Sequence, residues 1–237
     1  MKKFELTTDT KMFLGIKLFR IKALISFGNV RAGEKGGYIE KEGNLSQCGN
    51  AWVSGNARVF GNAEVSGDAR VYGNARVFGN AKVFGNARVY GNAKVYGNAW
   101  AYGNAEVYGD ARVYGNAWAY GNAEVYGDAE VYGNAKVSGN ARVSGDAWAY
   151  GNAEVYGDAE VSGNADYATA SGFGSEYRTT TFFKLKNSDE IGVRCGCFYG
   201  TLKEFKEKVK ETHGESKKAK EYLMLADLME YRFSEEK

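Results

Sequence analysis

The chain of 237 residues has no proline, a single histidine and three cysteines. The cysteines, Cys48, Cys195 and Cys197, are too few and too odd in number for a disulfide framework, and they suit a reducing cytosol. With only His213 to join them, a zinc site lacks ligands. No metal, cofactor or catalytic residue is expected. No run approaches the roughly 18 apolar residues that a membrane-spanning helix needs. The opening stretch MKKFELTTDTKMFLG has lysines but not the apolar core of a signal peptide. The expected setting is the cytoplasm, away from any membrane. Charge of one sign is lacking too. With 31 basic and 29 acidic residues the net charge is +2, so no whole-molecule field gathers nucleic acid or anionic lipid.

What is abundant is glycine, at 32 residues, and tyrosine, at 17. Both belong to a repeat. From Ala51 to Asn164 the chain is 19 uninterrupted copies of A-x-V-x-G-[N/D], with Ala in place of Val in three. Two degenerate words precede them, IEKEGN from Ile39 and LSQCGN from Leu45, which makes 21 words or seven groups of three. Within a word the alternation is that of a strand, with Ala and Val on one side and the two x residues on the other. Gly-Asn or Gly-Asp supplies a corner, because both residues tolerate positive φ. Three such words give a triangular coil of 18 residues. Seven coils at about 4.8 Å each predict a prism roughly 34 Å long. The period therefore predicts a mainly β protein, a β-helix solenoid.

V-x-G-N-A-x resembles the hexapeptide-repeat pattern of left-handed β-helices, and that resemblance implies a left-handed coil. The segment Leu18 to Val53 is similar to the N-terminal region of YdcK-like hexapeptide proteins and of many uncharacterised phage proteins. GCFYGTLKEF from Gly196 and ETHG from Glu211 resemble the tail of phage-encoded repeat proteins. This lineage implies a host-directed or virion-associated binder in a bacterial cytoplasm, including an inhibitor of a defence system.

Open solenoid ends expose unpaired strand edges and need caps. Residues 1–38 alternate as strands, with turns expected near Asp9 and Gly15, and form an N-terminal β cap. Residues 39–164 are the β-helix. Residues 165–237 read as a ββαα module. ADYATASGFGSEY is a Gly/Ser-rich exit, TTTFFKL-KNSDE-IGVRCGCF a hairpin, and Cys195 and Cys197 share one side of its second strand. Thr201 and Glu204 open a helix that Gly214 stops, and a second helix runs from Ser216 to about Phe233. The module either caps the prism or mediates contact.

Stacking at this period sorts the second outward position of each word into three ladders. Phe60, Phe78, Tyr96, Tyr114, Tyr132 and Tyr150 lie on the first face; Phe84, Tyr102, Tyr120 and Tyr156 on the second; Tyr72, Tyr90, Tyr108 and Tyr126 on the third. Fourteen of nineteen such positions are aromatic, which points to contact. The same rings, aligned one coil apart, also stiffen neighbouring strands by about 0.2–1 kcal/mol per pair. The other outward position holds nine basic residues, six glutamates and four tryptophans, with a basic end and an acidic end to the prism. Trp100 and Trp118 fall one above the other beside Tyr102 and Tyr120, a candidate hot spot.

The reading that fits best is a non-enzymatic structural or binding protein whose aromatic faces mediate self-association, as a dimer or trimer, or contact with a host protein. The alternative is nucleic-acid or nucleotide binding along the first face, where Arg58, Arg76, Lys94 and Arg112 alternate with Phe60, Phe78, Tyr96 and Tyr114. The lesser alternative, the acyl transfer that the hexapeptide resemblance implies, lacks both a histidine and an acceptor loop within the coils.

Overall fold

Every inward Ala and every third-place Val or Ala from Ala51 to Val161 is exposed by 1 % or less. The backbone closes this core. Arg58 N–H donates to the Ala75 carbonyl at 2.9 Å, Phe60 N–H to Val77 at 3.1 Å and Asn62 N–H to Gly79 at 2.7 Å, and the pattern recurs along the array. The outcome, in a computed structural model that describes residues 1–173 and 176–234, is a solenoid of three parallel sheets built from two-residue strands. The third-face sheet runs from Trp52–Val53 to Glu160–Val161 in seven strands, one per coil.

The corners depend on glycine for two reasons at once. Gly103 has φ of +69°, and a Cβ there would sit 3.0 Å from the backbone nitrogen of Gly121 in the next coil. Most corner asparagines then bond to their counterpart one coil on, as Asn80 Nδ2 does to Asn98 Oδ1 at 3.0 Å and Asn104 to Asn122 at 2.9 Å.

Each end is closed differently. At the start, β1 (Phe4–Phe13) and β2 (Ile16–Ala23) form an antiparallel hairpin, and β2 pairs with β3 (Lys35–Ile39), whose Ile39 aligns with Val59 of the second coil. The turn falls at Leu14 and Gly15, both at positive φ. The turn expected at Asp9 does not form. β1 continues through it with a register slip between Leu6 and Thr10, and the Asp9 carboxylate lies 3.7 Å from Arg20. In the solenoid, carbonyls of each coil accept from the coil before, and the first coil has no predecessor. Lys3, 2 % exposed, supplies the missing donors, with Nζ 3.5, 3.3 and 3.0 Å from the carbonyls of Cys48, Gly49 and Ala51. Burial pulls its pKa down from 10.5 to about 8, with Cys48 opposing the shift and Arg70 adding to it.

The last coil has the converse problem of spare N–H donors, and side chains answer it. Trp148 N–H donates to Asn164 Oδ1, Glu154 N–H to Thr181 Oγ1, Asp158 N–H to the Tyr199 hydroxyl, and Ser162 N–H to Asp166. The module that carries three of these acceptors, Thr181, Tyr199 and Asp166, has more strands than expected. Its sheet orders Tyr167–Phe173, Arg178–Lys184, Ile191–Cys195 and Phe198–Thr201, all antiparallel, before α1 (Leu202–His213) and α2 (Lys217–Phe233). The segment expected as an irregular exit is the first of these strands up to Phe173, while its Gly174 and Ser175 lie outside the described residues. Small and hydroxyl residues masked the strand; packing of Tyr167 on the last coil and Ala168 and Ala170 under the helices sets it. Cys195 and Cys197 do not share a strand side either. Gly196, at φ of +59°, turns the chain between them, which leaves Cys197 exposed at the tip of a tight hairpin. The cap at Thr201 is as read, and Ser216 caps the second helix rather than beginning it. Thr201 accepts from Glu204 N–H and Ser216 from Ala219 N–H.

Two outcomes follow. Gly103→Ala is expected to cost about 2–4 kcal/mol of stability, since it adds a backbone clash to the αL penalty. Gly151→Ala, at φ of +65° with nothing within 4 Å, meets only the penalty, about 1 kcal/mol. Urea unfolding of the two variants compares them, and equal losses would show that the inter-coil contact costs nothing. For Lys3, the unfolded chain holds the extra proton between pH about 8 and 10.5, so stability rises with pH across that window. A Lys3→Met protein loses that rise, measured as thermal midpoint against pH.

Candidate functional site

With the interior given over to Ala and Val, the chemistry lies outside. Along the first face, Phe60, Phe78, Tyr96, Tyr114, Tyr132 and Tyr150 stack with centroids 4.8 to 5.5 Å apart and planes within 14° of parallel. On the second face Phe84, Tyr102 and Tyr120 stack at 4.9 and 5.0 Å, and on the third Tyr72, Tyr90, Tyr108 and Tyr126 at 4.8 to 4.9 Å. The period places them so. The consequence is that ring faces are turned toward one another and edges toward solvent.

The charged column is equally occupied. Arg112 pairs with Glu130 at 2.6 Å, and Tyr114 donates its hydroxyl proton to the same carboxylate at 2.8 Å. Arg88, Tyr90 and Glu106 repeat the arrangement at 3.2 and 2.8 Å, and Glu124 holds both Tyr108 and Arg142. Each pair is worth little at this exposure, but each carboxylate anchors two neighbours at once. Burial, then the hydrogen bond to carboxylate, pushes the Tyr108 hydroxyl up to about 12 and those of Tyr90 and Tyr114 higher still.

The basic line proposed for nucleic acid is largely engaged. Arg58 and Arg76 lie over the Phe13 ring of the N-terminal hairpin, at 4.2 and 5.3 Å, and Arg112 is held by Glu130. Lys94 stands in register between Arg76 and Arg112, and its pKa is lowered by burial and then by those two cations. Phe13 was missed in the sequence, where nothing marks a hairpin residue as folding back over the array. His213 stacks on Tyr222 in an apolar cavity of about 510 Å³ within the C-terminal module that Cys195 and Cys197 also line.

The second face differs. Trp100 and Trp118 stack at 5.3 Å, flanked by Phe84, Tyr102 and Tyr120. Lys82 lies over Trp100 at 5.9 Å and Lys136 over Trp118 at 5.6 Å. Outside them, Glu64 pairs with Lys82 at 3.8 Å, and Glu154 with Lys136 at 3.3 Å and Arg194 at 3.0 Å. In register the column therefore reads Glu64, Lys82, Trp100, Trp118, Lys136, Glu154. It brackets a five-ring patch with no ionic group inside it.

Fold and surface together define the class, a β-solenoid repeat protein. Five windows of the array, residues 69–84, 81–97, 87–103, 105–121 and 135–151, match the family model described as YdcK Beta solenoid repeat. No curated protein matches the chain. No helix among the described residues is long and apolar enough to cross a membrane.

The tyrosine–carboxylate bonds carry a pH signature. Unfolded tyrosines ionise near 10, while Tyr90, Tyr108 and Tyr114 keep their protons to higher pH in the fold. Their contribution is complete below pH 10 and is lost as pH rises through the folded values. Stability should fall steeply above pH 10, and replacing all three by Phe should flatten the fall. Denaturant midpoints across pH 9 to about 12 test this; an unchanged slope would exclude these hydroxyls.

Proposed function

We propose that the protein works by contact rather than catalysis, and that the second face pairs with a second copy of the chain. The observation that supports this is the order of charges around the rings. In an antiparallel pair centred on Trp100, Glu64 meets Lys136 of the second copy and Lys82 meets its Trp118. Phe84, Tyr102 and Tyr120 oppose rings. Centring the pair midway between Trp100 and Trp118 would instead set Lys82 against Lys136 and Glu64 against Glu154, like against like. Electrostatic order of this kind selects register more than it adds affinity. A face of about five coils at 4.8 Å is a small contact, so affinity near micromolar is expected. A host protein of matching charge is the other partner that this face would suit. Three free thiols, Cys48, Cys195 and Cys197, are consistent with a cytoplasmic assembly.

Sedimentation velocity over a range of concentrations measures the pairing. Trp100→Ser with Trp118→Ser should yield a monomer that stays folded. Glu64→Lys should weaken the pair, and adding Lys136→Glu should restore it. A wild-type protein that stays monomeric at all concentrations removes the reading, and so does unfolding of the tryptophan variant.

A further inference from the structure

Trp148 is the exception among the aromatic residues of the coils. It is 49 % exposed, and among the described residues it stacks on no other ring. Its column explains this. The coil before presents Glu130 at that place, and no strand follows Trp148 in that sheet. Next to it Tyr150 ends the first-face ladder, 51 % exposed, with Tyr167 edge-on at 6.3 Å.

Here the chain leaves the coil, and α2 returns across the gap. The result is a cavity of about 490 Å³ between the last coil and the module, bounded by Trp148, Tyr150, Tyr167, Thr169, Met229 and Arg232. Its volume is in the range of small-molecule sites. The eight residues that line it include one cation, Arg232, and no acid. The acids one turn and two residues back on the same helix, Asp227 and Glu230, are held by Lys206. A half-exposed indole, a guanidinium, a threonine hydroxyl and the Met229 side chain line one space.

We propose that this cleft binds a nucleobase carrying a phosphate, the base stacked on Trp148 and the phosphate held by Arg232. Planar rings stack on an open indole with an affinity that scarcely depends on which base is presented. A guanidinium supplies the paired donors that a phosphate accepts. The ring ladders turn edges outward, so the end of the first face is where a base finds a ring face. A free mononucleotide and the end of a single strand share this chemistry.

Calorimetric titration of the full chain with adenosine 5′-monophosphate, and separately with a single-stranded pentanucleotide, tests the proposal. Saturable binding is expected, with Trp148→Ala and Arg232→Gln each weakening it about tenfold or more. Trp148→Phe should recover part of the loss, and Trp118→Ala should leave binding unchanged. Adenosine without phosphate should bind less well than the monophosphate and resemble the Arg232→Gln case. Stronger binding of the pentanucleotide than of the monophosphate assigns the site to a strand end; the reverse assigns it to a free nucleotide. Absence of saturable binding of both probes overturns the proposal, as does full retention in both the Trp148→Phe-controlled alanine variant and Arg232→Gln. Neither failure touches pairing through the second face, because Trp148 and Arg232 lie outside it.

Discussion

Everything in this protein depends on one hydrogen-bonded ladder, in which the N–H of each outward residue donates to the carbonyl one coil further on. That ladder runs parallel to the prism axis, so a residue and its counterpart in the next coil are held in register at strand spacing. A side chain is therefore opposed to a near copy of itself. For alanine, glycine and asparagine identity is helpful: the first closes the interior, the second lets corners approach, the third bonds to its own kind. For charge it is costly, and the arrays of Arg88 over Glu106 and Arg112 over Glu130 show the relief, a change of letter from one coil to the next.

The same ladder dictates what the ends must do. A parallel solenoid has unlike termini, one with spare acceptors and one with spare donors. The first is met by a buried ammonium, Lys3, and the second by Asn164, Thr181, Tyr199 and Asp166. At the start the β1–β2 hairpin also extends the first-face sheet through β3, whereas the last coil is closed by side chains. Capping thus explains much of the module that follows the coils. It also explains why a cleft exists at all, since α2 bridges an end that the last coil leaves uneven.

Stacking turns a surface rich in aromatics into one with few exposed ring faces. The first and third faces are bound up with the hairpin ring Phe13 and with carboxylates. The second face sets Lys82 and Lys136 at either end of its ring patch, and Trp148 at the end of the first face is half exposed. These two places stand apart from a frame in which most polar atoms are answered within the array.

Period and alternation in the sequence determined the coils, their number, the inward set and the three ring ladders, because a strict repeat on a parallel ladder leaves one way to arrange them. The local sequence determined the cap at Thr201 as well, since its side chain bonds to Glu204 three places on. What only the tertiary structure decided involves contacts remote in sequence with no period behind them. The hairpin that lays Phe13 over Arg58, the strand hidden in YATASGF, the ammonium of Lys3 beneath three carbonyls and the return of Arg232 to Trp148 are of this kind. Each is set by what an unfinished coil leaves exposed, and that becomes defined only once the prism has formed.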